Sequence, residues 1–239
     1  MIRVHLHVVA ATALLMLLTA ACASTPVDRE REAEFHYKLG GAAMSRGDLQ
    51  RAYVELQKGL QYDPHNKDIL NSLGLVHLQL EEYDKAKQYL LKAIAEDPGF
   101  SDAYNNLGVT YTKLGDLQKA IECFKKAIAN PLYKTPENAY YNLGMAYYRL
   151  DQFNDSIEAF QDSVKRSPMF TSSYYGLALV YNKAGRFGEA SQALTKAINV
   201  DSRYRGDRAK FAEDTRQRVN SSVGDERADF SSYLEILHY

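Results

Sequence analysis

The feature that most constrains this chain is a period. Leu39-Gly40, Leu73-Gly74, Leu107-Gly108, Leu143-Gly144 and Leu177-Ala178 recur at separations of 34, 34, 36 and 34 residues. Thirteen residues after each leucine stands a small residue, at Ala52, Ala86, Ala120, Ser156 and Ala190. A large apolar residue follows four places later, at Leu56, Leu90, Phe124, Phe160 and Leu194. Another small residue comes three places after that, at Gly59, Ala93, Ala127, Ser163 and Ala197. Repetition at 34 residues means a stack of like units, because one unit cannot bury its apolar face alone and stacked neighbours build a continuous core.

Within a unit, the spacing of Tyr104, Leu107, Gly108 and Tyr111 marks one face of a helix. Ala120, Phe124 and Ala127 mark a face of a second. Two antiparallel amphipathic helices per unit follow, joined by a tight turn at Gly47-Asp48, Gly115-Asp116 and Gly185-Arg186. The small slots let the helix axes cross closely, and Asp63-Pro64, Asp97-Pro98 and Ser167-Pro168 stop the second helix. Tyrosine fills large slots at Tyr104, Tyr140, Tyr174, Tyr111, Tyr147 and Tyr181, which are assigned to the core and account for part of the 18 tyrosines.

Together these slots resemble the tetratricopeptide repeat. The resemblance implies an all-α, right-handed α-solenoid of about five repeats, at 33–66, 67–100, 101–134, 137–170 and 171–204. The tail at 205–239 is then a degenerate sixth repeat or a pair of capping helices. Its sixth slot set (Phe211, Ala212, Thr215, Gly224, Ala228) matches poorly. Phe230, Tyr233, Leu234 and Leu237 have helical spacing, so an amphipathic end helix is expected to cover the last repeat or, alternatively, to dock a partner.

Ahead of the repeats, Arg3 precedes a 12-residue apolar run from Val8 to Thr19, which ends in Leu18-Thr19-Ala20-Ala21-Cys22. That length suits a secretory signal and falls short of a bilayer-spanning helix. Residues 1–21 therefore read as a signal peptide. A cysteine after two alanines resembles a bacterial lipobox, in which Cys22 receives a diacylglycerol and becomes the acylated N-terminus; the alternative is an ordinary signal peptide with an incidental cysteine. Ala23 after the cysteine, where aspartate commonly retains lipoproteins on the inner membrane, favours the outer membrane, facing the periplasm. Residues 22–32 lack apolar periodicity and read as a lipidated tether.

The junction Asn130-Pro131-Leu132-Tyr133-Lys134-Thr135-Pro136-Glu137 is two residues longer than the others. One reading is a well-capped junction, with Thr135 as N-cap, Pro136 in the first turn and Glu137 complementing the helix dipole. The string through Asn138-Ala139-Tyr140-Tyr141-Asn142-Leu143-Gly144 also resembles one branch of repeat lipoproteins, the type IV pilus pilotins of the PilF, PilW and Tgl kind. That resemblance implies an outer-membrane lipoprotein that helps the pilus secretin to localise or multimerise. A repeat lipoprotein that scaffolds cell-wall enzymes or another envelope complex is the alternative.

In either case, the first helix of each repeat is expected to line the inner curve. Its residues off the packing face are Tyr37, Gly41 and Met44, then Asn71, Leu75 and Leu78, then Asn105, Val109 and Thr112, then Tyr141, Met145 and Tyr148, and finally Tyr175, Leu179 and Asn182. Asparagines that pair with backbone, interspersed with apolar and aromatic side chains, suit a peptide or strand. Glu34, Asp68 and Asp102 at helix starts, with Lys113, Arg149 and Lys183 at helix ends, complement the helix dipole.

A net charge of −1 provides no field for collecting nucleic acid. No metal, catalytic, phosphate-loop or nucleophile motif stands out, so no enzymatic activity, cofactor or small-molecule substrate is expected beyond the acyl groups on Cys22. His36 and His77 sit in packing slots and Cys123 lies inside a helix, all three as structural residues.

Overall fold

The computed structural model describes residues 26–239, so Cys22 and the leader lie outside the described residues. Twelve helices and no strand are found among the described residues. The first repeat is α1 (Pro26–Ser45) with α2 (Leu49–Tyr62), and the second is α3 (Lys67–Gln79) with α4 (Tyr83–Glu96). The third is α5 (Ser101–Lys113) with α6 (Leu117–Ile128), and the fourth α7 (Pro136–Arg149) with α8 (Phe153–Arg166). The fifth is α9 (Thr171–Lys183) with α10 (Phe187–Val200); the tail adds α11 (Arg208–Ser221) and α12 (Gly224–Ile236).

The chain turns between the two helices of a repeat through a left-handed residue. Gly47, Gly115 and Gly185 take it with φ of 75°, 80° and 73°, while repeats two and four use Glu81 (φ 59°) and Asp151 (φ 58°). Asp48 and Asp116 then cap the second helix by accepting from the backbone N–H of Arg51 and Lys119. Thr135 stands at the N-cap position of α7 without capping through its side chain, and Pro136 opens the helix.

Two helices cross at each Leu-Gly slot. A Cβ on Gly40 or Gly74 would lie 2.6 Å from the Cγ of Leu56 or Leu90, and one on Gly108 only 2.4 Å from Phe124 Cε1. Where serine fills a small slot its hydroxyl finds a carbonyl: Ser156 Oγ donates to the Gly144 carbonyl at 2.8 Å, and Ser163 Oγ to that of Glu137 at 2.8 Å. Of the six slot tyrosines, Tyr147 and Tyr181 are buried, whereas Tyr104, Tyr111, Tyr140 and Tyr174 are half-buried because the ring outgrows the seam and its edge stays at the surface.

First helices of successive repeats touch along the whole array (α1 with α3, α3 with α5, α5 with α7, α7 with α9), and no comparable series links the second helices. The first helices therefore form the inner layer. Two features differ from the reading of the sequence. Helix α1 begins at Pro26, so residues 26–32 are helical and not an irregular tether; proline suits a first turn, and Arg29 donates Nε to the Tyr62 carbonyl at 3.2 Å. In the long junction, Tyr133 is buried against Ala127 and Ala139, which makes the two additional residues a plug between repeats three and four.

Candidate functional site: the inner helical face

The inner face divides into two halves. Over repeats one to three it is open: Tyr37 is exposed, and Asn71, Leu75, Leu78, Asn105 and Val109 are half-buried. Its asparagines are linked across repeats. Asn106 Nδ2 donates to Asn71 Oδ1 at 2.9 Å, and Asn142 Nδ2 donates to Asn105 Oδ1 at 3.0 Å. Each pair fixes the rotamers of both amides and leaves one acceptor and further N–H donors for an extended backbone. Thr112 turns its hydroxyl back to the Gly108 carbonyl, and Met44 packs into the first core cluster.

Over repeats four and five the same positions are covered by the chain itself. Tyr148 and Leu179 are only 5% and 2% exposed and share one apolar cluster with Phe211 of α11 and with Tyr233 and Ile236 of α12. Tyr141, Met145 and Tyr175 pack against that cluster, as do Phe230 and Leu237. Tyr175 stacks on Phe211 with centroids 5.7 Å apart and meets Tyr233 edge-on at 5.4 Å. Asn182 donates to Glu235 at 3.2 Å and accepts from the Tyr239 hydroxyl at 3.0 Å.

The tail does not continue the stack in order. The backbone of α12, the last helix, lies against both α9 and α10, where a sixth repeat would place its first helix, while α11 reaches them through side chains, Phe211 on Tyr175 and Arg208 on Thr195. In the tail slot set, Phe211, Ala212 and Thr215 are buried while Gly224 and Ala228 are exposed. A half-open pocket of about 220 Å³ is lined by Tyr141, Met145 and Tyr175 of the first helices, Phe211 of α11, and Phe230 and Tyr233 of α12.

Charge holds this cover down. Arg149, the last residue of α7, donates Nη1 to Asp229 Oδ1 at 2.9 Å and Nη2 to Asp229 Oδ2, and its Nε lies 3.4 Å from Asp225. The Tyr148 hydroxyl donates to Asp229 Oδ1 at 3.3 Å; burial, then the Asp229 charge, pushes its pKa up to about 12. Arg149 and Lys183 both lie 5.0 Å from the Tyr148 ring centroid, and Lys183 pairs with Asp151 at 2.5 Å. Bases placed at helix ends thus make tertiary contacts besides complementing the dipole. At the helix starts, burial and then the neighbouring Asp68 raise the Asp102 carboxyl above its usual range.

The two histidines in packing slots are each paired with a glutamate. His36 Nδ1 lies 2.7 Å from Glu55 and His77 Nδ1 2.6 Å from Glu82, and the two rings stack on Tyr62 and Tyr89. Burial pushes the Cys123 thiol up to about 11. Among the described residues no group of three or more His, Cys, Asp or Glu could hold a metal ion, and no helix is long and apolar enough to cross a membrane.

Tetratricopeptide-repeat profiles match residues 43–92, 101–130 and 141–207. A curated relative, the BBSome complex member BBS4 of Bos taurus, is 38% identical over 52 residues; these are 22% of this chain and 10% of that protein, so the likeness spans a tenth of the relative's length. Among solved structures, PilW, described as a widely conserved type IV pilus biogenesis factor, superposes with a TM-score of 0.67 at 21% identity, over 82% of this chain and 96% of its own. PilF of Pseudomonas aeruginosa gives 0.67 at 21%, over 85% and 98%. MamA gives 0.59 at 27%, over 71% and 91%.

Proposed function

We propose that this chain, a tetratricopeptide-repeat α-solenoid of the kind that serves as a protein-interaction scaffold, is a lipid-anchored pilotin for type IV pilus biogenesis. In this reading Cys22 carries the diacylglycerol and acyl chain that hold the protein at the outer membrane, facing the periplasm. The open inner face over repeats one to three grips a segment of the pilus secretin. Delivery to the membrane surface concentrates secretin subunits so that rings form, and neither partner is altered chemically.

The observation that carries the reading is the extent of the fold shared with PilW and PilF. PilW and PilF are matched over 96% and 98% of their own length and over 82% and 85% of this chain. The MamA likeness, at 71% or about 170 residues, needs no more than five repeats. A solenoid fold alone serves many partners; the larger shared extent and the higher TM-score, 0.67 against 0.59 for MamA, favour the pilus factors.

The test is Cys22→Ala in the native host, read as detergent-resistant secretin multimers in fractionated membranes. Multimers are expected to fall or to move from the outer membrane. Normal multimers at the normal site would overturn the reading, as would affinity capture of cell-wall hydrolases or synthases without secretin.

A further inference from the structure

We propose that the inner face of repeats four and five is a receptor for an amphipathic helix bearing an acidic residue, and that α12 is its resident ligand, exchangeable for a partner helix of the same pattern. The pattern is an acid followed by apolar residues one, four, seven and eight places on: Asp229, Phe230, Tyr233, Ile236 and Leu237. The receptor supplies Arg149 for the acid and an apolar bed at Tyr148, Tyr175 and Leu179 for the rest. This does not depend on which protein delivers the helix, so it stands apart from the pilus reading.

Three observations make α12 a ligand and not merely a last layer of core. It is the one helix of the array that takes a first-helix position out of chain order, behind α11, and it hangs from a turn at Ser222-Val223-Gly224 in which Val223 is 80% exposed and Gly224 has φ of 55°. One edge of it is open: a half-open pocket of about 220 Å³ is bordered by Phe230 and Tyr233 of α12, Phe211 of α11, and Tyr141 and Tyr175 of the first helices. Its specificity comes from a bidentate arginine–carboxylate pair, a geometry that selects a carboxylate at one position of an incoming helix. A covalently attached helix competes at high effective concentration, so a free helix enters only when it binds better or when the attached one is weakened.

The experiment uses the full chain in mild detergent and a fluorescent synthetic peptide of residues 224–239 as probe. Wild type should bind the peptide weakly or not at all. With Asp229→Arg, which sets two cations together, amides of α12 should exchange at least tenfold faster while those of α1 to α10 keep their protection, and the peptide should now bind. A peptide carrying the Asp229→Arg change should bind at least tenfold more weakly, and pairing Arg149→Glu with Asp229→Arg in the chain should restore slow exchange and exclude the wild-type peptide. Unchanged α12 exchange in Asp229→Arg, or released α12 without peptide binding, would overturn the proposal. Faster exchange rising together through all twelve helices would do the same, since it would make α12 an inseparable part of the core.

Discussion

Close crossing at the Leu-Gly slot makes a substitution with a calculable sign. In Gly108→Ala, the new methyl would stand 2.4, 2.7 and 2.9 Å from Cε1, Cδ1 and Cζ of Phe124, whose ring is 1% exposed. Overpacking of this sort costs about 1–3 kcal/mol. Alanine in place of glycine within a helix returns about 0.8–1 kcal/mol, so a net loss of up to about 2 kcal/mol is expected. Gly41→Ala in α1, where no atom lies within 4 Å of the added Cβ, should be stabilising by up to about 1 kcal/mol. Repeat five already pairs alanine with leucine, at Ala178 and Leu194, both buried in one cluster. Gly108→Ala combined with Phe124→Leu should therefore lose less than the sum of its parts, by about 1 kcal/mol or more. Urea unfolding followed by far-ultraviolet circular dichroism gives the order of midpoints, and hydrogen exchange locates the loss in α5 and α6, since a stacked array loses stability repeat by repeat. If Gly108→Ala raised the midpoint as Gly41→Ala does, or if Phe124→Leu brought no rescue, the slot would not be sterically closed and the argument for it would be wrong.

Asp201 predicts an acid limit. It accepts Nε and Nη2 of Arg203 at 3.0 and 2.6 Å, the Arg203 backbone N–H at 3.0 Å and the Tyr175 hydroxyl at 3.2 Å, and the Arg203 hydrogen bonds hold its carboxyl below the usual value. A depressed carboxyl stabilises fully above its unfolded value, about 4, and that stability is lost as pH falls through the folded one. Protection of the α10–α11 joint should stay level from pH 7 to about 4 and fall below it, and Asp201→Asn should remove this step; a step between pH 5 and 7 would contradict the assignment. Cys123, raised from 9.0 to about 11, should alkylate with iodoacetamide at pH 8 about 100-fold more slowly than an ordinary thiol, and at the ordinary rate in denaturant. A fast native reaction would show that its burial has been misread.

The repeat was legible because its signal is local and recurs. Leu, Gly and Ala at fixed offsets report where two helices of one hairpin cross, and Gly108 against Phe124 is that report in atoms. Serine at 156 and 163 registered as a small residue, but its hydrogen bonds to Gly144 and Glu137 depend on carbonyls 12 and 26 residues away. The inner-face positions were also readable as a set, since helical spacing decides which side chains leave the packing stripe. What covers half of them was not. Phe230, Tyr233 and Leu237 announce an apolar face without naming the surface it meets, and Arg149 has the local look of a base neutralising a helix end. Its partner Asp229 is 80 residues on, and nothing near either residue in sequence points to the other. Tyr133 was hidden in a similar way, in a junction whose Thr135, Pro136 and Glu137 spoke for helix capping and not for a buried ring.

The closed and open halves bear on how such a scaffold would work at a membrane. With Cys22 acylated as proposed, the open inner face belongs to the repeats nearest the anchor along the chain and the closed part to those farthest along it. A segment held on Asn71 and Asn105 engages repeats two and three, whereas a helix that displaces α12 engages repeats four and five. The two halves therefore need not compete for one partner: Arg149 and the asparagine pairs select different chemistry, a helical carboxylate in one case and an extended backbone in the other. A single chain can in this way hold one segment at the membrane and sense a second at its far end.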